Sequence, residues 1–183
     1  MSNVFWCKNC LNMSTRPRIE FDERGWCNAC QWMEEKNKLD WGKREKELED
    51  LLEKYRSKEG GFDCVVPVSG GKDGSYVACQ LRDKYQMNIL CMTVTPPLAL
   101  ELGNRNLKSF IDSGFNHIQI NVDVEAMRLL DRIGFIEKGF PCYGWLIAMQ
   151  AGVVRLAVNL NIPLIFYGED GEVEYGGVTE SKH

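Results

Sequence analysis

The stretch Val65-Val66-Pro67-Val68-Ser69-Gly70-Gly71-Lys72-Asp73-Gly74-Ser75 decides the reading of this chain. An apolar run breaks into two glycines, a lysine and an aspartate, and Tyr76-Val77-Ala78-Cys79-Gln80-Leu81 then begins a helical pattern. The order is strand, glycine turn, helix start. Glycines let the backbone approach a ligand and point its N–H groups outward, and a helix N-terminus adds partial positive charge, so such a turn suits an anion. Asp73 would repel a phosphate unless a divalent cation lay between them, which points to a Mg²⁺-bridged polyphosphate. The Gly-x4-Gly-Lys-Ser/Thr spacing of a Walker A loop is absent. A glycine turn without a ligand is the plain alternative.

Ser69-Gly70-Gly71-Lys72-Asp73 resembles the Ser-Gly-Gly-x-Asp-Ser signature of the PP-loop ATP pyrophosphatases. The signature has Ser directly after Asp. Here Gly74 intervenes and Ser75 follows, leaving open which hydroxyl reaches the pyrophosphate. The resemblance implies ATP as co-substrate, with Ser69, Gly70, Gly71, Lys72, Asp73, Gly74 and Ser75 around its phosphates. It also implies Lys72 and Asp73 as the catalytic pair and Asp73 as the Mg²⁺ ligand.

Outward from the loop, the bulk numbers are those of a globular protein. The chain has 183 residues, 44% hydrophobic and 26% charged, enough for one core and a small satellite unit. Its net charge of −4 argues against a large nucleic-acid partner. No apolar run approaches the ~18–20 residues of a membrane span, and the N-terminus lacks a signal-peptide pattern. Eight cysteines without an export signal indicate a reducing, cytoplasmic setting, where paired cysteines hold metal more often than they form disulfides.

Cys7-Lys8-Asn9-Cys10 and Cys27-Asn28-Ala29-Cys30 are two Cys-x2-Cys knuckles sixteen residues apart, a spacing that suits a four-thiolate zinc ribbon. An iron–sulfur cluster and two disulfides are the competing readings. Four cysteines leave no open coordination position, so the metal would be structural. Gly25 and Arg16-Pro17 fit the turns, and Trp6, Phe21, Trp26 and Trp32 are expected to cover the small core.

Residues 41–55 read as an amphipathic helix with apolar positions 41, 48, 51, 52 and 55, and Ser57-Lys58-Glu59-Gly60-Gly61 as a hinge. Strands are expected at 62–68, 88–94, 117–122 and 162–167. Helices are expected at 74–85, 100–113, from the Asp123 cap to 137, and at 144–161, the last apolar almost all round and so buried. Apolar strands alternating with helices indicate an α/β fold with a doubly wound parallel sheet. The division is then 1–36 zinc ribbon, 37–61 linker helix and hinge, and 62–183 nucleotide-binding domain. The PP-loop resemblance implies a HUP-like sheet of order 3-2-1-4-5, so a fifth strand is expected downstream and the chain reads as the N-terminal part of a longer protein.

Ligands of an open parallel sheet bind beyond the carboxyl ends of its strands. Besides the loop, Thr93, Val94 and Thr95 arrive there, and the resemblance implies an adenine edge on their backbone. Glu169, Asp170 and Glu172 arrive after the fourth strand, as a second Mg²⁺ ligand set or an acidic surface turn. Asn104 and Asn106 open the helix after the second strand, as caps or substrate contacts. Cys142 opens the helix at 144 on the expected site side, where the helix N-terminus would lower its thiol pKa, and it becomes a substrate-side candidate. Cys64, Cys79 and Cys91 fall in core patterns. Of the two histidines, His117 enters a strand and His183 ends the chain, so a histidine base is not expected.

The combination of the two knuckles, Pro67-Val68-Ser69-Gly70-Gly71-Lys72-Asp73, Gly103-Asn104-Arg105-Asn106 and Tyr167-Gly168-Glu169-Asp170-Gly171-Glu172 is similar to the N-acetyl sugar amidotransferases of bacterial surface-polysaccharide (lipopolysaccharide) biosynthesis. The similarity implies that ATP adenylates the acetamido oxygen of a nucleotide-linked N-acetyl sugar. Ammonia from a glutaminase subunit of the histidine-biosynthesis type then gives the acetamidino group. Two alternatives stand beside it. One is a PP-loop tRNA-thiolating enzyme, against which Cys142 has no Cys-x2-Cys mate. The other is a non-catalytic, ATP-binding zinc-ribbon scaffold.

Overall fold

The structure, a computed structural model, describes residues 4–169. They divide into two compact units, one reaching Glu47 and the other formed by Leu48–Gly168.

The first unit holds the four cysteines. Its chain makes two tight turns, one with Leu11 N–H donating to the Cys7 carbonyl and one closed at Gly25, whose φ of +76° is the left-handed backbone a glycine adopts without strain. Helix α1, Asn28–Lys36, begins within the second knuckle, with Cys27 at its N-cap and Cys30 in its first turn. The sequence reading missed it, although Ala29-Cys30-Gln31-Trp32-Met33-Glu34-Glu35-Lys36 is a run of helix-compatible residues. Phe21 and Trp26 pack on the buried cysteines as expected, while Trp6 is 52% exposed.

Helix α2, Trp41–Tyr55, runs across the boundary, and Leu48 and Leu52 of its second half join the core of the other unit. That unit is an α/β fold. Its strands are β1 Cys64–Pro67, β2 Ile89–Val94, β3 Asn116–Ile120 and β4 Leu164–Ile165. They form one parallel sheet of order β3-β2-β1-β4, so the chain winds outward from β1 to β3 and then returns to β1's other side. This is the expected doubly wound topology. Strand alternation splits the core into two layers. Cys64, Val66, Val68, Ile89 and Cys91 face Ala78 of α3 (Lys72–Cys79), Leu81 of the π turn that continues it, and Phe110 of α4 (Glu101–Asp112). Val65, Leu90, Met92 and Val94 face Val153 and Ala157 of α6 (Tyr143–Asn159).

Helix α5, Val124–Lys138, begins at the expected Asp123 cap, whose carboxylate accepts from Ala126 N–H at 2.8 Å, and ends at Gly139. It packs on α6. The expectation that the 144–161 helix is buried does not hold. Only Gly144, Val153 and Ala157 of α6 are buried, and Ile147, Val154 and Val158 are 44–67% exposed. One face of α6 seals the sheet, and among the described residues no further layer covers the other. No single described helix is long and apolar enough to cross a membrane.

Residues 57–61, expected as a hinge, are tied down. Asp63, 3% exposed, accepts from Ser57 N–H and Asn88 N–H, each at 2.6 Å. Arg56 donates to the Gln86 and Tyr85 carbonyls, and Asn88 Nδ2 donates to the Gly61 carbonyl. These bonds fix the amino edge of the sheet opposite the loop.

Candidate functional site

Two constellations carry chemistry, one in each unit. In the first, the Sγ atoms of Cys7, Cys10, Cys27 and Cys30 all lie within 4.8 Å of one another, the one such group among the described residues. Cys7–Cys30 is 3.8 Å, Cys10–Cys27 3.5 Å and Cys27–Cys30 3.8 Å. Four sulfurs at the ~2.3 Å bond length of a tetrahedral zinc ion would be roughly 3.8 Å apart, so the residues fit the ion. A disulfide needs about 2.05 Å, which none of these pairs approaches. A [4Fe–4S] cluster puts a separate iron behind each thiolate and a [2Fe–2S] cluster puts the two thiolate pairs on different irons, and both spread the four sulfurs wider than a single ion does.

Backbone donors prepare the centre. Burial pushes the Cys7 thiol up, but N–H groups of Cys10, Cys27 and Asn9 outweigh it and hold Cys7 at about 6. Cys27 N–H reaches Cys7 Sγ at 3.2 Å and Asn9 N–H at 3.4 Å. Burial pushes Cys30 up to about 12 and also raises Cys10. In the second unit, Cys64 and Cys91 are fully buried and burial pushes both up to about 12, which makes them neutral core thiols.

The second constellation is the turn between β1 and α3, at the carboxyl edge of the sheet where the winding direction reverses between β1 and β4. Three glycines let three backbones meet there. Gly70 has φ +79°, and a Cβ on it would lie 2.6 Å from the Leu107 backbone nitrogen and 2.9 Å from its Cα. A Cβ on Gly74 would lie 2.8 Å from the Pro67 carbonyl oxygen. One on Gly168, just after β4, would lie 2.5 Å from Gly74 N. The departure from the Ser-Gly-Gly-x-Asp-Ser pattern thus has a steric reason in this chain. Position 74 has no room for a side chain, and the next residue, Ser75, is half-buried.

Lys72 and Asp73 occupy the first turn of α3, and the lysine ammonium pairs with the Asp73 carboxylate. Both side chains are largely exposed, 88% and 46%, so the pair is weak. A single carboxylate fits Mg²⁺ only when phosphate oxygens and water complete the shell. Ser69 Oγ accepts from Gly71 N–H at 3.4 Å across the turn.

The other expected residues divide. Asn106 is brought to the loop, its backbone carbon 3.1 Å from where a Gly70 Cβ would stand, and Asn104 lies exposed one half-turn earlier on α4. Thr93 is 5% exposed and its hydroxyl is turned inward, donating to the Val68 carbonyl at 2.6 Å. The Val94 carbonyl accepts from the Trp145 indole N–H at 3.4 Å, which brings the start of α6 over the end of β2. Cys142, half-buried, precedes α6 there. Sequence reasoning missed Asp131 of α5, whose carboxylate accepts from Gly144 N–H at 2.9 Å and Trp145 N–H at 3.4 Å. This carboxylate already caps α6 beside Cys142. Glu169 is exposed and falls outside the sheet unit, and Asp170 and Glu172 lie outside the described residues.

No known protein family matches the chain. An uncharacterized protein of Methanocaldococcus jannaschii is 30% identical over 89 residues, which is 48% of this chain and 32% of that protein. The solved structure of a predicted tRNA methyltransferase subunit from the same organism aligns with a TM-score of 0.41 and 18% identity, over 65% of this chain and 58% of that one. The chain therefore matches about a third of the length of the first and under two thirds of the second, and a likeness of that score bears on no function.

Proposed function

We propose that this chain carries the adenylating centre of an ATP-dependent amidotransferase acting on a nucleotide-linked N-acetyl sugar, with a structural zinc in the cysteine unit. The observation that carries the reading is the loop: Gly70, Gly74 and Gly168 press three backbones together at the sheet's switch point, and α3 opens there with Lys72 and Asp73 exposed. This arrangement suits a polyphosphate, and the chemistry proposed requires no side-chain nucleophile. In the working division, residues 1–36 form the ribbon, 37–61 the linker and 62–183 the nucleotide domain of a cytoplasmic enzyme.

The chemistry is what the similarity to the N-acetyl sugar amidotransferases implies. An amide carbon is a poor electrophile with a poor leaving group. The acetamido oxygen attacks the α-phosphorus of ATP, an O–P bond forms and the bond to pyrophosphate breaks. Ammonia, from a glutaminase partner, then adds to the activated carbon, loses a proton, and AMP leaves with the C–O bond, giving the acetamidino group. Lys72 and the loop N–H groups hold the departing pyrophosphate. Asp73 would hold Mg²⁺, which neutralises charge on the phosphates.

The test is a product assay with ATP, Mg²⁺ and ammonium, offering nucleotide N-acetyl sugars in one set and bulk tRNA in another. AMP together with a sugar in which NH replaces the acetamido oxygen supports the proposal. AMP formed only with tRNA replaces it with tRNA modification, and ATP binding without AMP in either set leaves a scaffold.

A further inference from the structure

We infer that Thr93 and His117 are positioning residues for the loop, a two-step hydrogen-bond chain that sets its first peptide plane from inside the sheet. The inference rests on the reading that residues 69–75 hold the polyphosphate. The ladder between β1 and β2 ends at Pro67 paired with Met92. Past that point Val68 N–H still donates to the Met92 carbonyl at 2.8 Å, and the Val68 carbonyl accepts from the Thr93 hydroxyl at 2.6 Å. Both backbone groups of Val68 are therefore held by neighbouring residues of β2. A trans peptide is planar, with its C=O and N–H pointing in opposite directions. Fixing the Val68 oxygen toward β2 thus aims the Ser69 N–H away from it, one residue before Gly70 turns against α4.

The direction of the chain is fixed by proton count. A carbonyl only accepts, so the single Thr93 proton is spent on Val68. The Thr93 oxygen is then an acceptor for His117 Nε2, 2.9 Å away, and Nε2 must carry hydrogen. Burial holds His117 below the usual imidazole range, so the neutral Nε2–H tautomer satisfies the contact. Hydrogen bonds in series polarise one another, which strengthens the hold on the carbonyl at this part-buried site. Thr93 holds the residue that enters the loop.

The experiment measures ATP and adenosine binding, with Mg²⁺, to the zinc-loaded 183-residue chain and to Thr93→Val and Thr93→Ser. Thr93→Val should weaken ATP binding about tenfold while adenosine binding stays unchanged, and Thr93→Ser should stay within about twofold of wild type. Equal losses for both ligands, or no loss of ATP binding, overturn the inference. A wild-type chain that gains no affinity from the phosphates overturns the reading of the loop itself, and the inference with it. Independently of any nucleotide, ¹⁵N spectra of wild-type His117 should show the Nε2–H tautomer. An Nδ1–H imidazole overturns the chain of donors even if the Thr93 variants fail to fold.

Discussion

Gly60 and Gly70 form a natural control pair for the loop. Both have left-handed backbones, φ +78° and +79°, and both belong to the sheet unit. A Cβ on Gly60 would meet nothing within 4 Å, whereas one on Gly70 would lie 2.6 Å from the Leu107 nitrogen and 2.9 Å from its Cα. Left-handed backbone costs an L residue about 1–2 kcal/mol, so Gly60→Ala should lower stability by about that amount. Gly70→Ala incurs the same strain plus an overlap with helix backbone, which cannot rotate away as a flexible side chain would. Overpacking of this kind adds about 1–3 kcal/mol. The difference between the two variants, about 1–3 kcal/mol, isolates the contact between loop and α4. Urea unfolding followed by circular dichroism measures it as a shift in midpoint at constant slope. If the loop instead lifts off α4 to relieve the overlap, stability recovers but ATP affinity falls. Equal midpoints and equal ATP affinities for the two variants would refute the reasoning, because the loop then does not sit against α4.

Lys72→Ala should leave stability within about 0.5 kcal/mol, since its side chain is 88% exposed, while AMP formation falls by about 10²-fold or more. Asp63→Asn removes a buried carboxylate that accepts two backbone N–H groups and should cost about 1.5–3 kcal/mol in urea unfolding, without changing the ATP affinity of the folded fraction. Zinc should bind one per chain and with affinity that rises with pH, because the raised Cys10 and Cys30 thiols must lose their protons to ligate, and calorimetry in buffers of different ionisation enthalpy should register the release. In the metal-free chain, Cys7 is lowered from 9.0 unfolded to about 6 folded. Its contribution is present above pH 9 and lost as pH falls toward 6, so metal-free stability should drop over that window and Cys7→Ser should flatten the drop.

Period and spacing alone settle much of this protein. Strands that are apolar on both faces, such as Ile89–Val94, can be buried only between two helix layers, and their alternation with helices forces a parallel doubly wound sheet. The cysteine spacing was sufficient for a single four-sulfur centre, because two short knuckles each bring a thiolate pair together locally. The glycines of the loop announced a close backbone approach, since that is what a missing Cβ permits. What they approach was not legible. Leu107 is thirty-seven residues from Gly70, and Gly168 is ninety-four from Gly74, and only the sheet order brings those pairs together. The same holds for Thr93, whose hydroxyl faces Val68 rather than a ligand, and for Asp131, which caps α6 from another helix. The all-round apolar helix α6 misled for a related reason. Hydropathy records what each face tolerates, while burial depends on whether another layer lies over it, and that is a property of the assembled fold. Local chemistry follows the chain; contacts, caps and cover follow the topology.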